Sequence, residues 1–506
     1  MNGIAHESAG AYDSRLSSWI PEASSADAGL LNEAGIITSR ARDLVRNNPV
    51  AAGVRQTLCD NIIGSQLRLS AQPCYRLLGQ DKDWATQWGN FVEDQFATWA
   101  DTTECDVSRT NTFLGLTTQA LSGALVNGDA FALVMWQPRK NSPWATRLQI
   151  IESDRVNTPP WLTAQTNIRN GVELDSNGAP VAYWIMKNHP GDKYGYGYLA
   201  QQDQWERIPA FTPWGRRRVI HLYDKERSGQ SRGKSVFASL MRDFKVLGDY
   251  LGSEVQAAAS NALIASIIES DLPAELIAEM LGGEEGGIAG HFQAVVDALH
   301  RKKMEGGMNL VAPLGTSIKG FETNRPNTAF AAFTESVERT LGVGFNLPYE
   351  LYKKDYSKSN YSSSRAASLE AWRHFYVKRS WLRDQWLDAC YECWLEEAVG
   401  AGLIDAPDYY KNQYAYSRSR WIYAGRGWVD PVKESKAAQI RMDIGVSTLE
   451  QECAEQGQDW IEVLEQRARE RAKMEELGLL QPYELVAATP YVDQTDPNAP
   501  VGTANA

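Results

Sequence analysis

The amino-acid sequence predicts an α+β fold spread over several domains. Three observations carry this. The chain has 506 residues, which on the usual scaling of core size means about three domains. Apolar residues recur at helical spacing in segments before and after residues 128–223, whereas that middle region reads as short strand-like runs separated by turn residues. Two long helical patterns, one from about Ser235 and one from about Ser364, stand beyond it.

Residues 1–35 are polar and rich in Ala, Ser and Gly, and are expected to form a flexible arm. "SRARDLVRNNPVAAGVRQTLCDNIIG" reads as an amphipathic helix broken at Pro49 and resumed. "DWATQWGNFVEDQFATWA" is a second helix, with Trp84, Trp88, Phe91 and Phe96 near the helical period. From Gly128 the texture changes to "GDAFALVMW", "RLQIIES", "GVELDSNGAPVAYWIMK" and "RRVIHLY", with "DSNG" a hairpin signal and the β-rich region ending near Tyr223.

A helix is expected to open at about Ser235, after the Gly-containing loop, with Phe237, Leu240, Phe244, Leu247, Leu251 and Val255 forming one apolar stripe. "LGGEEGGIAG" interrupts the pattern as a Gly-rich loop, and "NTAFAAFTESVERTLG" resumes helix, with Asn327 or Thr328 as its cap. After an irregular stretch, a long helix is expected to Val399, its apolar side marked by Leu369, Trp372, Phe375, Leu382, Trp386, Cys390 and Trp394. Towards the end, Asp430-Pro431 reads as a cap with Pro at the first helical position, and "STLE" (Ser447 to Glu450) as a capping box. "DWIEVLEQRARERAKMEEL" is a charge-laced helix, and the tail is expected to be disordered.

Composition narrows the function. The net charge is −12, from 63 acidic and 51 basic residues, whereas a dedicated nucleic-acid binder carries a basic surplus. Contact with DNA must then be local or weak. Six cysteines form no disulfide framework, and Cys390 and Cys393 lie about one turn apart in a helical stretch with no second pair to complete a metal site. The N-terminus lacks a basic start and an apolar core, and no run reaches the roughly 18–20 apolar residues of a membrane span, so a soluble intracellular protein is expected. Scattered tryptophans, 17 in all, point to large cores or interfaces. No nucleophile–base or paired-carboxylate arrangement stands out, so no enzyme is expected, and no cofactor or metal.

Two segments could carry function. "ERSGQSRGKS" approaches a phosphate-binding P-loop, but that loop needs G-x-x-x-x-G-K-[ST], and Gly229 stands one residue too close to Gly233. The other reading is a strand-to-helix turn, with Arg232 and Lys234 in the first helical turn and an acidic neighbour or partner implied. "NLPYELYKKDYSKSNYSSSRAA" interleaves Lys353, Lys354, Lys358 and Arg365 with Tyr349, Tyr352, Tyr356 and Tyr361. Such a segment can touch a phosphate backbone without reading bases, or it can be a solvated loop between helices.

In this order, "ARDLVRNNPVAAGVRQTLCDNIIG", "LQIIESDRV", "VIHLYDKERSGQSRGKSVF", "LPYELYKKDYSKSNYSSSRAASLEAWR" and "GRGWVDPVKESKAAQIRMDIGVSTLEQ" resemble the tailed-phage portal proteins of the lambda type, over about residues 40–480. The resemblance implies a dodecameric ring at one vertex of the virion capsid, assembled in the host cytoplasm, with a channel for double-stranded DNA during packaging and ejection. It implies a wing (36–233), a first stem helix (234–262), a clip (263–325), a second stem helix (326–344), a channel loop (345–363), a long wing helix (364–400) and C-terminal wing and crown helices (401–487), with 488–506 a tail. The implied partners are the terminase large subunit, the major capsid and scaffold proteins, and head–tail connector or adaptor proteins, with no membrane. Lys353, Lys354, Tyr356, Lys358, Asn360, Tyr361 and Arg365 would face DNA. Arg227, Gly229, Arg232, Gly233 and Lys234 would form a hinge or an inter-protomer contact, meeting acidic groups of the same or a neighbouring protomer. An ATP-driven motor using residues 228–235 and a monomeric DNA-binding scaffold are the other two readings.

Overall fold

The computed structural model describes residues 17–192, 204–263, 267–270, 316–319, 330–427 and 430–479. The expected Asn327/Thr328 cap, most of the 263–325 insert and the tail beyond 479 lie outside them. The chain divides into two compact units, one of Met1–Gly35, Gly53–Lys234 and Arg373–Ala506, the other of Ile36–Ala52 and Ser235–Trp372.

The first unit joins helices to antiparallel sheets, as an α+β fold requires. Asp129–Trp136 lies between Thr146–Ile151 and Val219–Tyr223 in a three-stranded sheet. A four-stranded meander of Ile168–Arg169, Val172–Leu174, Pro180–Met186 and Trp205–Pro209 follows, its expected turn closed by Asp175, which accepts from the Asn177 and Ala179 N–H groups. Alternate residues of the two sheets, among them Phe131, Leu133, Val172, Tyr183, Ile185 and Val219, make a shared apolar core.

The tryptophans build a second core. Trp99, Trp144, Trp386 and Trp394 are fully buried, and Phe96 stands edge-on to Trp394 at 5.1 Å between ring centroids. Two of these indole N–H groups find oxygen within the core: Trp99 donates to the Thr146 carbonyl at 2.9 Å and Trp386 to the Thr117 hydroxyl at 3.0 Å. In the Lys82–Ala100 helix, Trp88 and Phe96 are buried as expected, whereas Phe91 is exposed and Val92 takes the core position beside it, with Trp99 extending the buried stripe. Buried Glu397 accepts from the N–H groups of Ala145 and Thr146, tying the helix Asp388–Gly400 to the start of a strand.

Several boundaries differ from expectation. Residues 26–30, expected within a flexible arm, form a helix capped by Ser25, with Asp27 and Leu30 buried. The long helix is interrupted: Tyr361–Leu382 and Asp388–Gly400 are joined by a π-helical turn, Arg383–Leu387. The capping box lies one residue later than "STLE", with Thr448 as cap and Gln451 reaching back. Helix Pro49–Ile62 follows Ala34–Asn47 after a break at Asn48, and Asp430 caps Pro431–Asp443 with Pro at the first position, both as the sequence reads.

In the second unit, helix Met241–Leu263 and helix Phe330–Gly344 are accompanied by the short helix Tyr349–Lys353. Phe237, Leu240, Phe244 and Leu247 are buried, with Phe345 at 5.1 Å from Phe237 between centroids. Val255, by contrast, is 70% exposed, so the stripe outruns the packing available within the unit. The helix begins at Met241, not Ser235. Ser235–Leu240 instead makes successive turns, Ala238 donating to the Ser235 carbonyl and Leu240 to that of Phe237. Ile267–Ser270 pairs antiparallel with Thr316–Lys319.

Candidate functional site

The turn after strand Val219–Tyr223 is wired into its own unit. Arg232 is buried and pairs through its Nε and Nη2 with the Asp129 carboxylate, while Nη1 donates to the carbonyls of Val156 at 2.8 Å and Asn170 at 2.7 Å. Burial would raise the Asp129 pKa, but the Arg232 charge and hydrogen bonds, with His221 3.5 Å away, outweigh it and hold the carboxyl down to about 2. His221 is stacked between Phe131 and Tyr223, and burial depresses its pKa against the opposing pull of Asp129.

The P-loop reading fails on geometry. Several of its N–H groups are already engaged: Gln230 donates to the Arg227 carbonyl at 3.3 Å, Ser231 to Asp27 at 2.8 Å and Gly233 to Asp129 at 3.4 Å, while the preceding Glu226 and Arg227 donate to the Gln230 side-chain oxygen. Lys234 pairs with Glu226 at 2.6 Å. Arg232 and Lys234 precede the helix, so they do not occupy its first turn and do not oppose its dipole. Gly229 adopts φ +78°, and Gly233 packs against the Gly128 backbone so closely that a Cβ would overlap the Gly128 carbonyl. Arg227 donates to the Ser24 carbonyl at 3.1 Å. These five residues thus share one turn, and the partners found for Arg227, Arg232 and Lys234 belong to the same chain.

The lysine-and-tyrosine segment is partly helical. Phe345 and Leu347 are buried, Pro348 precedes Tyr349–Lys353, and Lys354 ends that helix at φ +57°. A short exposed connection follows, in which Tyr356 is 53% exposed. Asn360 then caps the next helix, accepting from the Ser363 N–H at 2.9 Å while the Ser363 hydroxyl accepts from the Asn360 N–H at 3.0 Å. Tyr361 and Arg365 therefore belong to the following helix, and Lys353, Lys354, Tyr356, Lys358 and Asn360 gather around one connection.

Sequence reasoning missed the groups facing these lysines. Lys353 reaches Glu338 at 2.5 Å and Lys358 reaches Glu335 at 2.7 Å, both on helix Phe330–Gly344. Glu335 also accepts from Arg339 at 2.8 Å, and the Arg339 guanidinium lies 4.6 Å from the centre of the Tyr349 ring. Hydrogen bonds from Lys358 and Arg339 hold the Glu335 carboxyl below its ordinary range, and Glu335 in turn raises Lys358. The signal lay in "TESVERT", where Glu335, Glu338 and Arg339 are spaced to share a helix face.

The helical Cys390 and Cys393 are buried, and burial pushes the Cys393 thiol up to about 12. Among the described residues no acidic, cysteine and histidine group is arranged to hold a metal, and no helix is long and apolar enough to cross a membrane.

Comparison with known proteins gives the family. A family model described as phage portal protein, lambda family, matches residues 12–379. The chain belongs to the lambda family of phage portal proteins. The portal protein B of Escherichia phage lambda is 29% identical over 503 residues, covering 96% of this chain and 92% of that protein. The portal protein of Escherichia phage N15 is also 29% identical, over 504 residues with the same coverage. A probable portal protein of Halomonas phage phiHAP-1 is 25% identical over 481 residues, covering 92% of this chain and 86% of that one. Among solved structures, a chain from the neck of an empty GTA particle aligns over 80% of this chain and 90% of its own at 14% identity, with a TM-score of 0.46.

Proposed function

We propose that the chain is the repeating subunit of a portal ring at one capsid vertex, through which double-stranded DNA enters during packaging and leaves at ejection. The observation that carries this reading is the family match over residues 12–379, together with portal relatives aligned over 96% of the chain. On this reading the role is structural, and any energy for DNA movement comes from a partner docked on the ring.

The wing, stem, clip and crown assignment follows from the same reading. The antiparallel pairing of 267–270 with 316–319 supports it, since it sets the two ends of the insert side by side, as a projecting clip needs. Lys353, Lys354, Tyr356, Lys358 and Asn360 form the DNA-facing loop, with Tyr361 and Arg365 at the head of the next helix. Few exposed cations on a chain of net charge −12 suit a conduit, because each further neutralised phosphate tightens salt-sensitive binding and would slow sliding. The ring is dodecameric, assembles in the host cytoplasm, and presents its clip to the terminase large subunit and then to head–tail connector proteins, while capsid and scaffold proteins meet the wing. Negative-stain imaging of the purified protein tests the core of this reading. Rings with a central hole are expected, and a population of monomers and dimers alone at assembly concentrations overturns it.

A further inference from the structure

We infer that Glu335 and Glu338 are charge-compensating residues that set how strongly the 353–358 connection grips a polyanion. The inference rests on the proposed DNA-facing role of that connection. Two of its three lysines are already engaged: Lys353 with Glu338 at 2.5 Å and Lys358 with Glu335 at 2.7 Å. Lys354 is exposed and pairs with neither glutamate, nor with its neighbour Asp355, whose Oδ1 accepts from the Ser357 N–H. Glu335 is held from both sides, one oxygen accepting from Arg339 and the other from Lys358. Glu338 is buried, so its position against Lys353 is set by packing.

The consequence is electrostatic. A free lysine that meets a phosphate gains a new partner and releases a counterion, whereas a paired lysine must first give up a carboxylate. The two glutamates thus act as resident substitutes for phosphate. They leave Lys354 without a glutamate partner and discount Lys353 and Lys358. The Lys358 pair is exposed on the lysine side, with 72% of that side chain accessible, so a passing phosphate can displace the carboxylate and be displaced by it. Such an exchange gives contact without tight holding. A clamp that only stabilised the fold would alter melting but leave the salt dependence of DNA binding unchanged.

The test uses purified full-length rings and a short fluorescein-labelled duplex, with binding read by anisotropy between roughly 50 and 200 mM salt. Glu335→Gln is expected to steepen the log–log salt slope by about 0.9 for each copy engaged, an extra three- to four-fold loss of affinity across that range. Glu335→Asp, which keeps the charge, should retain the unsubstituted slope, and Glu335→Gln combined with Lys358→Gln should restore it. Glu338→Gln asks the same question of Lys353, so failure of one variant to form rings leaves the other to decide. Lys354→Gln separates this inference from the reading beneath it. If Lys354→Gln flattens the slope while both glutamate variants match the unsubstituted ring, the inference is overturned and the DNA-facing loop stands. If neither Lys354→Gln nor combined substitution of all three lysines alters the slope, the DNA-facing loop itself is overturned.

Discussion

Replacing Arg232 by Met keeps the aliphatic stem of the side chain and removes its charge from the most heavily bonded position in the turn. The Asp129 carboxylate would stay behind, with only 2% of its side chain accessible, facing no guanidinium. Breaking a buried pair by removing one partner costs about 3–5 kcal/mol. The carbonyls of Ser153, Val156 and Asn170 lose their donor as well, which places the expected loss at the upper end of that range. The pH dependence gives a sharper check. In the unsubstituted chain the Asp129 pKa lies below its ordinary value, so its contribution is present above about pH 4 and is lost as pH falls towards about 2. Without Arg232, burial becomes the leading influence and raises the carboxyl above its unfolded value. The penalty then grows as pH rises above about 4, because the ionised form is disfavoured in the fold. Protonation of His221, 3.5 Å from Asp129, relieves the charge in the same direction. Urea melts followed by tryptophan fluorescence should therefore show a larger loss at about pH 7.5 than at about pH 5, and Asp129→Asn in the Arg232→Met background should recover part of it. A loss below about 1 kcal/mol, or one that is equal at both pH values, would refute the argument.

Other positions give independent checks. Gly233→Ala drives a methyl group into the Gly128 carbonyl and should cost about 3 kcal/mol or more, read as a collapse in soluble yield or melting temperature, whereas Gly229→Ala meets open space and pays only for its positive φ. Glu397→Ala leaves the buried N–H groups of Ala145 and Thr146 without an acceptor and should cost roughly 2–5 kcal/mol in a thermal melt. Thr448→Ala should destabilise helix Leu449–Glu455 by about 1 kcal/mol in amide exchange, and Ser447→Ala by only a few tenths; the reverse order would return the capping box to "STLE".

Much of the architecture was legible because local chemistry and tertiary packing agree. Pro49 and Asp430-Pro431 punctuate helices wherever they occur, and the continuous apolar run in "GDAFALVMW" reads as a strand because Asp129 to Leu133 are buried in succession, on both faces. Reading failed where tertiary contacts set the boundary. Ser235–Leu240 has the spacing of a helix, yet Phe237 and Leu240 are buried from successive turns. Thr448 displaced Ser447 as cap because either hydroxyl can serve and the neighbouring structure chooses between them. The site was half visible: Lys353, Lys354 and Lys358 stand out in their own segment, but Glu335 lies 23 residues before Lys358, and no local pattern links them.

The π-helical turn Arg383–Leu387 has a consequence for counting along the chain. Four residues overshoot a full α-helical turn by about 40°, so a four-residue apolar spacing drifts steadily around a regular helix. Leu382, Trp386, Cys390 and Trp394 keep that spacing, and all are fully buried. One extra residue in the wider turn absorbs part of the drift and returns the later members to the same side. The segment works as a phase corrector, setting where Trp394 points through the number of residues before it. Side chains at its solvent-facing positions, such as Asp384, are free to vary; the residue count is not, because deleting one would swing the whole downstream helix, with Glu397, away from the core it completes.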